Sequence, residues 1–123
     1  MTAENIPKQE GFSAVIEVGG QIGSFVKVAK TTDIPAGTMK HVEVDGLEIL
    51  IANVEGRFYA VGDRCPHLNA TLSEGTLNKT IVTCPRHLST FDVTTGRAIS
   101  GTRSSLSTYE VKVVGDDLFI DIQ

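Results

Sequence analysis

An all-β fold is what this sequence predicts, and three observations carry it. Apolar residues recur at every second position, short turn signals separate these runs, and no amphipathic helix of normal length is present. Alternation at period two puts successive side chains on opposite faces of a strand, so one face can be buried while the other stays wet. From Ser24 onward, Phe25, Val26 and Val28 predict one strand, Val42 and Val44 a second, and Leu47, Ile49 and Ile51 a third. Pro35-Ala36-Gly37, Asp45-Gly46 and Glu55-Gly56 supply the turns. The second of these suits a tight hairpin because glycine accepts positive φ without steric cost. Phe58 and Val61 bound a fourth strand, after which a stretch rich in Gly, Pro, Asn and Ser holds three brief candidates at 80–83, 90–93 and 97–99. Residues 109–114 and 118–122 predict a closing hairpin across Gly115-Asp116-Asp117. Before Ser24, the alternation from Phe12 to Val18 fits either a short strand or a loose extension.

With 123 residues the chain has the size of one domain. Its 41% hydrophobic and 21% charged residues are those of a globular protein, which sets disorder and fibrous repeats aside. A net charge of -4 argues against nucleic acid as a partner, because phosphate repels an acidic surface. No apolar run reaches the roughly 18 residues of a membrane span, and residues 1–8 are polar where a secretory signal would turn apolar. A soluble, cytoplasmic protein without a membrane partner is therefore expected, and its two cysteines are poor evidence for a disulfide.

Those cysteines stand in matched surroundings. Cys65-Pro66-His67 and Cys84-Pro85-Arg86-His87 each combine a thiol with an imidazole on a short loop stiffened by proline, with sixteen residues between the two groups. A single His is ordinarily a surface or core residue and a single free Cys a small buried hydrophobe. Two matched pairs in a chain with 2 Cys and 3 His instead point to a metal site with Cys65, His67, Cys84 and His87 as ligands. Tetrahedral zinc is the rival occupant of such a set, although structural zinc sites usually pair Cys with Cys and His with His.

The mixed pairs resemble the Rieske family, in which Cys₂ holds one iron of a [2Fe-2S] cluster and His₂ the other. The resemblance extends to Asp63-Arg64-Cys65-Pro66-His67, Leu72-Ser73-Glu74-Gly75, Val82-Thr83-Cys84-Pro85-Arg86-His87, Phe91-Asp92 and Thr95-Gly96, and covers about Phe25 to the C-terminus. It implies a Rieske fold: an antiparallel β-sandwich base with an inserted cluster-binding subdomain at about 63–101, all within residues 24–123, preceded by an N-terminal extension at 1–23. It implies one [2Fe-2S] cluster, with Cys65 and Cys84 on the buried iron and His67 and His87 on the outer one. Leu68, Leu88, Pro66 and Pro85 would shield it. High-potential members link their loops by a disulfide; Arg86 and Asn69 or Ala70 stand at those places here, so the chain resembles the low-potential ferredoxin branch. Ser89 and Phe91 align with a Ser and a Tyr that hydrogen-bond the cluster in high-potential members. Leu88 replaces a usual glycine, and Thr102 and Arg103 follow Gly101 where a proline-containing segment is common.

Two ferric ions, two sulfides and two thiolates sum to zero with neutral histidines, so an added electron meets an uncharged centre. Arg64 and Arg86 adjoin ligands, and their charge would favour reduction further unless they are simply solvated. A mononuclear iron site of the 2-His-1-carboxylate type needs two more histidines, and only His41 remains. That remaining residue is expected on the surface of a strand. The chain is thus expected to be no enzyme itself but a single-electron carrier. The resemblance implies a flavin-dependent reductase upstream and a terminal oxygenase or other redox protein downstream. A small Rieske-like subunit of a larger reductase, such as a nitrite reductase, and a zinc-stabilised binding module are the alternatives.

Overall fold

The computed structural model describes residues 25–66, 70–86 and 89–122. The expectations for 12–18 and for His67, Leu68, His87 and Leu88 lie outside the described residues. Among the described residues eleven strands run β1 (Phe25–Lys30), β2 (Met39–Val44), β3 (Leu47–Val54), β4 (Arg57–Gly62), β5 (Thr76–Asn78), β6 (Ile81–Thr83), β7 (Thr90–Asp92), β8 (Ala98–Ser100), β9 (Thr108–Tyr109), β10 (Val111–Val114) and β11 (Asp117–Asp121). Single 3-10 turns occupy Thr31–Asp33 and Leu72–Glu74. The all-β class is what the alternation predicted.

The strands form three antiparallel sheets, ordered β1-β11-β10, β2-β3-β4-β9 and β5-β6-β7-β8. The second sheet is built on tight hairpins. Asp45 and Gly46 take φ of 50° and 80°, and Glu55 and Gly56 take 54° and 92°, so both two-residue turns have two successive positive φ values, whose twist matches that of the flanking strands. Val44 then pairs with Leu47, and Val54 with Arg57.

Strand β3 explains how the sheets stack. Ile49, Leu50, Ile51 and Ala52 are all fully buried, which is the signature of a strand covered on both faces. Ile49 and Ile51 pack with Ala29, Ile34, Ala60, Leu118 and Ile120 on the side of the first sheet. Leu50 and Ala52 face the other way, into a core with Val61, Cys65, Leu72, Val82, Cys84, Phe91 and Leu106. The second core thus joins the middle sheet to the β5–β8 meander, and both cysteines belong to it.

Sequence and structure differ at the closing hairpin. Residues 109–114 are not one strand: β9 pairs with β4 in the middle sheet and β10 with β11 in the first, so the chain changes sheets at Glu110. Tyr109, Val111 and Val113 keep their alternation through the change, which hides it from a periodicity argument. Strand β5 and the turn at Leu72–Glu74 were not predicted; each is only three residues long, too short to show a period.

Candidate metal centre

Each cysteine opens a hairpin loop, and the two loops are closed in the same way. The amide of Cys65 donates to the carbonyl of Ala70 at 2.8 Å, and that of Cys84 to Ser89 at 2.8 Å, so each closure spans five positions. The flanking residues extend the pairing: Arg64 bridges Thr71, and Thr83 pairs with Thr90. Pro66 and Pro85 follow the cysteines at the exposed turns, where a missing amide hydrogen leaves no ladder bond unmade. The cysteines themselves are free thiols with 1% and 0% exposure. Both thiols therefore sit at the inner end of their loops while the proline turns face outward.

The segment Leu72-Ser73-Glu74-Gly75 locks the two loops together. A Cβ at Gly75 would come 1.9 Å from the carbonyl oxygen of Thr83, a contact no side chain permits. Glycine is needed there for close backbone approach, since its φ of -87° is ordinary. The return from the first loop is thereby pressed onto the strand that leads into the second.

A buried carboxylate braces the first loop from below. Asp63 has no exposure, and its Oδ1 accepts the Ser73 amide at 2.7 Å while Oδ2 accepts the Ser73 hydroxyl at 2.6 Å. Its third side-chain partner is His41 Nδ1, at 2.5 Å. Sequence reasoning left His41 as a surface residue of a strand. It is only 34% exposed, with Nε2 lying 3.5 Å from Glu43 and 4.0 Å from Glu48. The hydrogen bond to Asp63, opposed by burial and aided by Glu43, raises the His41 pKa above its ordinary value of 6.5. Aspartate before Cys65 was visible as part of a motif, but a partner 22 residues away was not.

The remaining environment residues divide by burial. Arg64 forks onto Glu48, with contacts of 3.0, 2.9 and 2.9 Å, so its charge is met by a carboxylate. Arg86 is exposed and Phe91 is fully buried between the cysteines' neighbours in the core. Ser89 is the informative one: it is completely buried, and its Oγ meets no hydrogen-bond partner among the described residues. An unmet buried hydroxyl costs about 1–3 kcal/mol. The cost disappears if an acceptor such as a cluster sulfur stands beside it, which fits an iron-sulfur group held by the adjacent Cys84. The described residues thus suit a [2Fe-2S] cluster in donor type, burial and hydrogen bonding.

Comparison with known proteins identifies the family. Residues 24–115 match the Rieske [2Fe-2S] domain, and the chain belongs to that family. Within it, the similarity is to ferredoxins. The 3-phenylpropionate/cinnamic acid dioxygenase ferredoxin subunit of Shigella flexneri serotype 5b (strain 8401) is 42% identical over 92 residues, covering 73% of this chain and 86% of that protein. Its counterpart in Escherichia coli (strain K12) is 41% identical over the same length. Among solved structures, the ferredoxin of carbazole 1,9a-dioxygenase from Nocardioides aromaticivorans IC177 superposes with a TM-score of 0.78 at 26% identity, over 82% of this chain and 100% of that one. A chain in a complex of reduced oxygenase and oxidised ferredoxin of carbazole 1,9a-dioxygenase gives 0.76 at 33% identity, over 80% and 93%. The protein is an electron carrier of ferredoxin type and not itself a catalyst.

Proposed function

We propose that Cys65, Cys84, His67 and His87 hold one [2Fe-2S] cluster, and that the chain passes single electrons in the cytoplasm from a flavin-dependent reductase to a terminal oxygenase. The observation that carries the ligand assignment is the pair of loops closed alike, each delivering a buried thiol beside a histidine in sequence. The oxygenase as acceptor is supported by the relatives, which are named as subunits of dioxygenases. No helix among the described residues is long and apolar enough to cross a membrane.

When bound, the cluster supplies one reversible electron. The chain's own residues set how readily it is accepted. Two buried thiolates in place of four keep the centre less negative, and neutral imidazoles add no charge. The Ser89 hydroxyl is left free to donate to sulfur, and that bond strengthens as the acceptor gains charge. Protein purified without oxygen is expected to be coloured, to hold about two iron and two sulfide per chain, and to give an EPR signal only when reduced. Stoichiometric zinc with neither iron nor sulfide would overturn the reading.

The same hydroxyl yields a tuning prediction. Ser89→Ala removes the donor and is expected to lower the midpoint potential, by on the order of 40 mV if the bond strengthens by about 1 kcal/mol on reduction. Phe91→Tyr would add a second donor from the buried core side and is expected to raise it. Film voltammetry on intact clusters reads both shifts; two potentials equal to the native value would mean that neither position addresses the cluster.

A further inference from the structure

The other side of Ser89 is closed by Gly101. This glycine follows β8 and takes φ of +85°. A Cβ built on it would lie 2.4 Å from Ser89 Oγ, 2.8 Å from Ser89 Cα and 2.9 Å from Ser89 Cβ. Its backbone is therefore packed directly against Ser89, at a distance that only a residue without a side chain allows. The placement is fixed by the sheet. Thr90 pairs with Ser100 and their hydroxyls are 2.7 Å apart, which brings the next residue, Gly101, beside Ser89. On the loop side, the Ser89 carbonyl is tied to the Cys84 amide at 2.8 Å. Ser89 is thus gripped by its backbone on one side and covered by bare backbone on the other, with its hydroxyl buried and unmet among the described residues.

We propose that Gly101 is a positioning residue for the electron-transfer centre. Lacking a side chain, it lets the end of β8 close over Ser89, keeps water from the hydroxyl and reserves that hydroxyl as a hydrogen-bond donor to a cluster sulfur. This rests on the cluster assignment made above. Glycine serves two needs at once here, positive φ and space, and the two can be separated. Gly37 has φ of +84°, but nothing lies within 4 Å of a Cβ built on it. Alanine at 37 strains the backbone equally without meeting a neighbour.

The test compares native protein with Gly101→Ala, Ser89→Ala, the double variant and Gly37→Ala, reading iron and sulfide content, melting temperature and midpoint potential. Gly101→Ala is expected to keep its cluster while the equilibrium constant for one-electron reduction falls about fivefold, near 40 mV at 59 mV per tenfold change. Ser89→Ala should fall equally and the double variant no further, because the two substitutions remove one hydrogen bond. Gly37→Ala should melt lower, as Gly101→Ala does, yet hold the native potential. A native potential in Gly101→Ala, additive shifts in the double variant, or an equal shift in Gly37→Ala would overturn the proposal. If Gly101→Ala fails to load, Ser89→Gly in the same chain removes the atoms at 2.4 and 2.9 Å and should restore iron; a double variant that stays empty overturns it too. Native protein without iron and sulfide would instead overturn the cluster reading, whereas a loaded native protein with unmoved variants overturns Gly101's role alone.

Discussion

Serine in place of Cys65 or Cys84 is expected to give a colourless, iron-free protein that melts well below the native one. Both side chains are buried in the core that joins the middle sheet to the β5–β8 meander. A hydroxyl there is a poorer ligand than a thiolate and, without a metal to bind, an unmet polar group costing about 1–3 kcal/mol. The larger loss is the binding energy itself. Both loops are closed at their necks by bonds from the cysteine amides, and a ligand that binds only the folded state contributes its affinity to folding. A combined loss above about 3 kcal/mol corresponds to a fall of roughly 10 °C or more in melting temperature for a domain of this size. Iron and sulfide assays beside thermal unfolding read both parts. Native iron content in either variant would remove that cysteine from the ligand set. Replacing His67 or His87 with Cys is expected to be milder, leaving an altered cluster, because a donor remains at the position.

The fold class, most strands and the placing of both cysteines on short loops were legible because each rests on a local pattern. Period two runs through Leu47, Ile49 and Ile51, and the turn at Asp45-Gly46 is written in two adjacent residues. What escaped depends on contacts between residues far apart in sequence. The change of sheet at Glu110 leaves the alternation of Tyr109, Val111 and Val113 intact, so nothing local records it. The alternation of Leu47, Ile49 and Ile51 speaks for one buried face only; that Leu50 and Ala52 bury the other, and which core each face joins, follows from the stacking. At the site, the resemblance singled out Ser89, but its isolation from every described partner is a property of packing. Gly101 showed only as the residue before Thr102 and Arg103, where the family commonly has a proline-containing segment; its contact with Ser89 depends on the Thr90 and Ser100 register. His41 shows the same limit in reverse. In a strand between Lys40 and Val42 it read as surface, and the carboxylate that holds it comes from the loop after β4.

That carboxylate carries the second large effect expected. Asp63→Ala should destabilise the protein by about 3 kcal/mol, because it strands the Ser73 amide, the Ser73 hydroxyl and the His41 ring hydrogen beneath the first loop. Asp63→Asn separates charge from shape: an amide oxygen can still accept from Ser73, but the negative charge beside His41 is gone. The pH dependence then identifies which contribution is lost. In the native protein the His41 pKa is raised above 6.5, first by its hydrogen bond to Asp63, so the folded state holds the proton more tightly than the unfolded chain. Stability from this source is fully present below pH 6.5 and is lost as pH rises through the folded-state value. Partial exposure of His41 to solvent keeps the contribution modest. The gap between native protein and Asp63→Asn should therefore be widest near about pH 6 and narrow in alkali, while the part of the Asp63→Ala deficit due to Ser73 persists at every pH. His41→Asn should abolish the native protein's decline over the same interval. Urea unfolding of the four proteins at several pH values measures this directly. A gap between native and Asp63→Asn that stays constant from acid to alkali would show that the bond to His41 is worth no more charged than neutral, and that Asp63 acts on the loop through Ser73 alone.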